Sequence, residues 1–240
     1  MKQQKVIIVG GTSGIGRSLG EKYAIANWKV GITGRRLDLL SSFKEKFPDQ
    51  AEYECFDVTA EHTLPHLEKL ITKLDGLDLL IISAGTGEPS KELSWAIDKL
   101  TVDTNVKAFI EIANWAYNFF RAQGHGHLVT ISSVAANRGG SHAPAYNASK
   151  AFQSSYFEGL SIKAKKTNRR IIITCIEPGF VDTKMAKGEG IFWLIPVEKA
   201  ADQIIRAIKR KKVKVYISRR WWIIAKIMRW SPGWLYNRVG

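Results

Sequence analysis

Residues 5–16 read KVIIVGGTSGIG, and the reading of this stretch decides the fold. Val6–Val9 is a short, continuously apolar and β-branched run, as expected for a strand buried on both faces of a parallel sheet. It ends directly in a glycine-rich turn, and an amphipathic stretch follows from Ile15 to Ala26. Gly10, Gly14 and Gly16 stand where a tight turn, a close backbone approach and a helix start would each exclude a Cβ. Amides at the start of the following helix offer an anion site, aided by the helix dipole. A glycine-rich turn alone says little. Between the first strand and first helix of an α/β chain it points to a nucleotide pyrophosphate.

Outward from this unit the same alternation repeats. Further strand-like runs lie at Val30–Thr33, Tyr53–Phe56, Leu79–Ile82, His127–Ile131, Ile171–Ile176 and Val213–Ile217. Amphipathic stretches separate them at Leu37–Phe47, Thr63–Leu74, Trp95–Arg121, Tyr146–Lys166 and Val197–Lys211. Strand and helix in alternation predict a doubly wound, mainly parallel, seven-stranded α/β sheet of Rossmann type, with helices on both faces and right-handed crossovers. Residues 1–218 read as one catalytic domain, and residues 219–240 as a basic, tryptophan-rich tail. Ligands of such sheets bind beyond the carboxyl ends of the strands, so the chemistry is expected in those loops.

The 240 residues suffice for one large domain with a substantial core. No stretch of about twenty apolar residues is present to span a bilayer, and MKQQ is followed by too short an apolar run for a signal peptide. Cys55 and Cys175 each lie in a strand-like run and read as reduced core thiols of a cytoplasmic protein. The five histidines and two cysteines form no metal-ligand pattern. The net charge of +14 is uneven: no acidic residue follows Asp202, whereas eleven lysines and arginines fall between Arg206 and Arg238.

The second strand ends GITGRR, residues 31–36. A site for NAD(H) usually carries Asp or Glu here to accept from the ribose 2′-hydroxyl, whereas this chain has Arg35 and Arg36. A planar guanidinium suits a 2′-phosphate through charge-assisted paired bonds. NADP(H) is therefore expected in preference to NAD(H). The competing reading is a pair of solvated arginines at a helix start, where the dipole mildly disfavours them.

YNASK occupies residues 146–150, and Ser133 of ISS stands thirteen residues before its tyrosine. Four residues are about one helical turn, so Tyr146 and Lys150 share a face. Taken singly, each is an ordinary helix-surface residue. With these residues in hand, the chain resembles the short-chain dehydrogenase/reductase family over almost its whole length. The resemblance rests on the glycine loop, on Asp57 in FDVT, on SAG at Ser83–Gly85, on Asn105 in DTNVKAF, on Ser133, Tyr146 and Lys150, and on EPGFVDT at Glu177–Thr183. Val9 and the Ile82–Ser83 pair depart from the family's usual threonine and asparagines, at positions that brace loops.

What the resemblance implies is an oxidoreductase that interconverts a carbonyl compound and an alcohol. Asn105, Ser133, Tyr146 and Lys150 are its catalytic positions. Cofactor contacts are implied for Gly10, Thr12, Ser13, Gly14, Ile15 and Gly16, for Arg35, Arg36, Asp57 and Val58, and for Ser83, Ala84 and Gly85. Tyr146 and Lys150, together with Pro178, Gly179, Val181 and Thr183, complete that set. In the family the lysine also holds the nicotinamide ribose, and the asparagine holds a water leading to solvent. A free phenol titrates near 10, so bringing Tyr146 to neutrality takes roughly 4 kcal/mol of phenolate stabilisation, much of which a nearby Lys150 cation is expected to supply. A non-catalytic NADP(H)-binding regulator or scaffold is the alternative, and it would have no reason to keep these four residues together.

The segment at 184–196, KMAKGEGIFWLIP, resembles the family's mobile lid, and its apolar character predicts a small hydrophobic carbonyl or alcohol substrate. Phe180, Met185, Phe192 and Trp193 are the candidate substrate contacts beside Ser133, with Ile191 in the same run. In the tail, Trp221, Ile223, Ile224, Ile227 and Met228 form an apolar face on a helical wheel, opposite Arg219, Lys226 and Arg229. Two readings stay open: peripheral contact with an acidic membrane surface, or packing on the protein itself or across the interface of a homodimer or homotetramer. Nucleic acid is disfavoured, because no recognised module accompanies the charge.

Overall fold

The computed structural model describes residues 3–90, 92–186, 192–218 and 220–236. Ile191 and Arg219, both named above, lie outside the described residues. The strands are β1 (Lys5–Val9), β2 (Lys29–Gly34), β3 (Ala51–Cys55), β4 (Leu79–Ile82), β5 (Gly126–Ile131), β6 (Ile171–Pro178) and β7 (Lys214–Ile217). They form a single seven-stranded sheet in the order β3-β2-β1-β4-β5-β6-β7. Every pairing is parallel. The order reverses between β1 and β4, which places the ligand crevice above their carboxyl ends.

The pleat of β1 explains why its run is apolar throughout. Val6 and Ile8 enter one core with Leu19 and Tyr23 of α1 (Gly14–Ile25) and Leu40 and Phe43 of α2 (Leu37–Lys46). Ile7 and Val9 enter the other, with Leu67 and Leu70 of α3 (Thr63–Leu74) and Phe109 and Ile112 of α5 (Phe109–Gln123). Alternate side chains of one strand thus serve opposite layers. α7 (Val197–Lys209) closes the first layer and α6 (Pro144–Thr167) the second.

Two sequence expectations need correction. The stretch Trp95–Arg121 is not one regular helix: α4 (Trp95–Val102) passes through a π-helical turn, Asp103–Ala108, before α5. Asn105 lies in that turn, where an extra residue per turn aims its side chain inward. Cys55 is also not a core thiol. It ends the edge strand β3 and is exposed, whereas Cys175 is buried.

Candidate active site

A cleft of about 1450 Å³ runs along the carboxyl ends of β1, β2 and β4–β6. That exceeds the ~300–1,000 Å³ of a drug-sized pocket and leaves room for a dinucleotide with a substrate beside it. The glycine loop forms one wall. Gly10 has φ +88°, and a Cβ there would fall 2.6 Å from the Ala84 nitrogen. Only glycine therefore lets the loop lie against the segment after β4. Val9 and Ser83, the two departures from the family pattern, are joined through the backbone: the Val9 carbonyl accepts from the Ser83 and Ala84 amides at 2.8 and 2.7 Å.

Thr12, Ser13, Gly14 and Ile15 line the cleft, and so do Asp57, Val58, Ser83, Ala84 and Gly85. Gly16 lies behind the loop, against the Gly10 carbonyl. Arg36 donates to the hydroxyls of Thr12 and Ser13 at 2.6 and 2.8 Å, and Arg35 pairs with Asp57 at 3.4 Å. Burial alone would raise the Asp57 carboxyl, but hydrogen bonds from Thr59 and the Arg35 charge outweigh it and hold the carboxyl below its usual range. Two cations beside a ring of amides and hydroxyls fit the phosphates of a dinucleotide.

The middle of the cleft gathers residues from three elements. Ser133 follows β5 at the start of a short 3₁₀ turn, Val134–Asn137, where its hydroxyl accepts from the Ala135 amide at 3.1 Å. The same hydroxyl bonds the Tyr146 phenol, which α6 brings over from its first turn. Lys150, one turn on, is 5% exposed and holds its ammonium 5.7 Å from the Tyr146 ring centroid. Its Nζ donates to the Ile131 carbonyl and to Gln153 Oε1, both at 3.0 Å.

Asn105 is fully buried and does not line the cleft. Its side chain accepts from the Thr86 amide at 2.9 Å and donates to the Thr86 carbonyl at 2.7 Å and to Ser149 at 3.0 Å. It thereby fixes the cleft-lining loop beyond Gly85 to α6.

The electrostatics differ from the sequence expectation. Burial pushes the Tyr146 phenol up, although the Ser133 bond opposes it. Burial also pushes Lys150 down, to about 8. Desolvation is the largest cause in both, because a charged form of either would sit in a poorly hydrated floor.

At the far end, Pro178, Gly179, Phe180, Val181 and Thr183 line the cleft together with Met185 and Phe192. Trp193 is not among the lining residues: it is 45% exposed and lies beneath the Arg220 guanidinium. Either side of the segment expected to be a lid, the chain is tied by backbone bonds: the Asp182 amide donates to the Ile195 carbonyl and the Ile195 amide to the Phe180 carbonyl.

Sequence reasoning missed the wall contributed by α8 (Arg220–Trp230). Trp221, Ile224 and Met228 face the cleft. Trp221 stacks edge-on to Phe180 at 5.3 Å and packs so closely on Gly179 that a Cβ there would meet its indole nitrogen at 2.0 Å. Arg138 ties the helix down by donating to the carbonyls of Met228 and Ser231 at 3.0 and 2.6 Å. Its guanidinium also lies 4.5 Å from the ring centre of Tyr236 in α9 (Gly233–Tyr236). The apolar face expected for the tail is corrected accordingly. Trp221, Ile224, Ala225 and Met228 turn inward at helical spacing, while Ile223 and Ile227 point outward beside Trp222 and Trp230.

Fold and cleft together define a dinucleotide-binding α/β protein with a Ser–Tyr–Lys constellation at its switch point. The short chain dehydrogenase profile matches residues 4–190. An uncharacterized oxidoreductase of Mycobacterium tuberculosis is 30% identical over 239 residues, covering 95% of this chain and 92% of the relative. Another, from Myxococcus xanthus, is 34% identical over 191 residues, covering 77% and 75%. Among solved structures, a short chain dehydrogenase of Burkholderia cenocepacia in complex with NADP superposes with a TM-score of 0.83 at 19% identity, covering 99% of this chain and 98% of that one. A short chain dehydrogenase/reductase of Burkholderia phymatum in complex with NAD gives 0.82 at 17% identity, covering 94% and 92%. The chain belongs to the short-chain dehydrogenase/reductase family and is an oxidoreductase of that family. No described helix is long and apolar enough to cross a membrane.

Proposed function

We propose that the protein is an NADPH-dependent reductase of a small hydrophobic carbonyl compound, able to run in reverse on the alcohol. The observation that carries this reading is the convergence of Ser133, Tyr146 and Lys150 on the floor of the cleft. A bound nicotinamide supplies the hydride. The chain's own residues do the rest. Ser133 hydrogen-bonds the substrate oxygen and fixes its approach. Tyr146 gives its phenolic proton to the oxygen as negative charge develops, and takes it back in oxidation. Lys150 holds positive charge under the phenol, and its third N–H remains for the ribose. Asn105 keeps Thr86 and α6 in register.

Arg35 and Arg36 support NADP(H) over NAD(H), because both stand beside the loop that would hold the ribose phosphate end. Phe180, Met185 and Phe192, backed by Ile224 and Met228, support a hydrophobic substrate. Trp95 and Val102 on α4 and Ile162 on α6 are exposed apolar residues that suit a homodimer or homotetramer. Two free cysteines suit the cytoplasm. The outer face of α8 and α9, with Trp222, Ile227, Trp230 and Trp234 beside Arg220, Lys226 and Arg229, suits an acidic membrane surface. The direct test screens apolar ketones, aldehydes and alcohols with both cofactors. Turnover lost in Tyr146→Phe supports the reading; turnover equal in that variant overturns it.

A further inference from the structure

Gln153 lies on α6 three residues beyond Lys150 and is 1% exposed, with no part in the sequence pattern that marks the site. Its Oε1 accepts from Lys150 Nζ at 3.0 Å, and its Nε2 donates to the Asn105 carbonyl at 2.9 Å. A buried primary amide is costly unless both ends are satisfied, and here each end meets one of the residues assigned to the reaction. The amide takes the place between lysine and asparagine that the family resemblance assigns to a water.

We propose that Gln153 is a positioning residue of the reaction site, which clamps the Lys150 ammonium against the Asn105 carbonyl and makes Lys150 a fixed cation in place of a proton relay. The proposal rests on the hydride-transfer reading of the cleft. The chemistry of the amide carries the distinction. A water accepts a proton on one side and releases one on the other by rotating. A carboxamide accepts only at oxygen and donates only at nitrogen, so passing a proton would require it to become an imidic acid. Orientation is fixed by the partners, since a carbonyl oxygen cannot donate and an ammonium cannot accept. The Ile131 carbonyl and Gln153 Oε1 together hold two of the three ammonium N–H groups, leaving one for the cleft.

The groups facing Lys150 are Tyr146 from its own helix, the Cys175 thiol of β6 and the uncharged Asn105 amide of the π-helical turn. Burial pushes Cys175 up to about 12, so that thiol stays neutral across the working range. Farther along β6, Glu177 is engaged by Lys214 and Ser154. Among the described residues Gln153 is thus the side-chain acceptor of the ammonium, and removing it should weaken the charge that Tyr146 feels.

The test follows Tyr146 ionisation in the full-length protein with NADP⁺ bound, as the phenolate absorbance difference between each protein and its Tyr146→Phe counterpart. In Gln153→Met, which keeps side-chain length without polar ends, phenolate should appear about one pH unit higher than in the unmodified protein. A lowered thermal midpoint with an unchanged phenolate curve would mean that Gln153 merely supports the fold, and would overturn the proposal. A second measurement needs no variant. The Gln153 side-chain amide protons should exchange with deuterium far more slowly than those of exposed glutamines, whereas exchange as fast as theirs would place solvent in the gap and overturn the clamp. Neither readout requires a substrate, so failure here and failure of the reductase reading are distinguishable.

Discussion

Arg36 Nη2 stands 2.6 Å from the Thr12 hydroxyl, so a cation from the end of β2 is clasped to the glycine loop. With Ser13 as its second partner, the guanidinium is held beside the amides of the glycine loop, with no carboxylate paired to it among the described residues. NADPH should therefore bind at least tenfold tighter than NADH, about 1.4 kcal/mol. Titration of cofactor fluorescence checks it. Joint Arg35→Ala and Arg36→Ala replacement should abolish the preference, and a preference that survives would defeat the assignment.

Tyr146→Phe should lower kcat by more than tenfold while leaving cofactor affinity within a few-fold. The ring still packs against the backbone of Gly87, but the proton donor is gone. Retention of more than about a tenth of the turnover would show that proton transfer is not a main part of the barrier.

Lys214 bonds Glu177 at 2.7 Å behind the Pro178–Gly179 turn, and the Glu177 side chain is 0% exposed. Removing one partner of a fully buried pair costs roughly 3–5 kcal/mol. Because the Lys214 side chain is 38% exposed, Lys214→Met should cost less, about 2 kcal/mol, in chemical denaturation. Adding Glu177→Gln should recover part of the loss. A single variant as stable as the parent would show that solvent already screens the carboxylate.

His127 carries a pH dependence that comes from burial and not from an ion pair. Burial, assisted by the Lys211 charge, pushes its imidazole down to about 4, while an unfolded histidine titrates near 6.5. The native state binds fewer protons than the unfolded one, so this stabilisation is complete above about pH 6.5 and is lost as pH falls towards 4. Its size is at most roughly 3 kcal/mol. His127→Gln should flatten this part of the stability curve; parallel curves for the two proteins would exclude the histidine as the cause.

The outer face of α8 should carry the protein to vesicles rich in acidic lipid and leave it in solution with neutral ones. Each basic side chain near such a surface contributes about 1 kcal/mol, so replacing Arg220, Lys226 and Arg229 by Gln should weaken binding by about two decades. Added salt should weaken it too, through screening. Absence of co-sedimentation at low salt would rule this contact out.

The alternation of strands and helices was legible in the chain because its signals are local. β-branched runs, amphipathic spacing and the glycine turn act over a few residues, and Thr63–Leu74 and Leu79–Ile82 fall where the sequence puts them. The order of Asn105, Ser133, Tyr146 and Lys150 was equally legible, since a spacing of four on a helix is a geometric statement in itself. The π-helical turn at Asn105 was not, because it depends on the Thr86 backbone nineteen residues away.

The sequence by itself thus determined the fold class and the glycine loop, and it named the candidate reacting residues. Only the tertiary structure decided how those residues are tuned. Burial raises Tyr146 and lowers Lys150, and no local pattern reveals how much water a side chain will lose. The tertiary structure likewise chose which stripe of the tail turns inward. Trp221 and Ala225 are buried while Ile223 and Ile227 are exposed, because Arg138 and the Gly179 backbone provide a surface that only the first stripe fits. Gln153 joins the site for the same reason: the carbonyl that its amide meets comes from a turn forty-eight residues earlier in the chain.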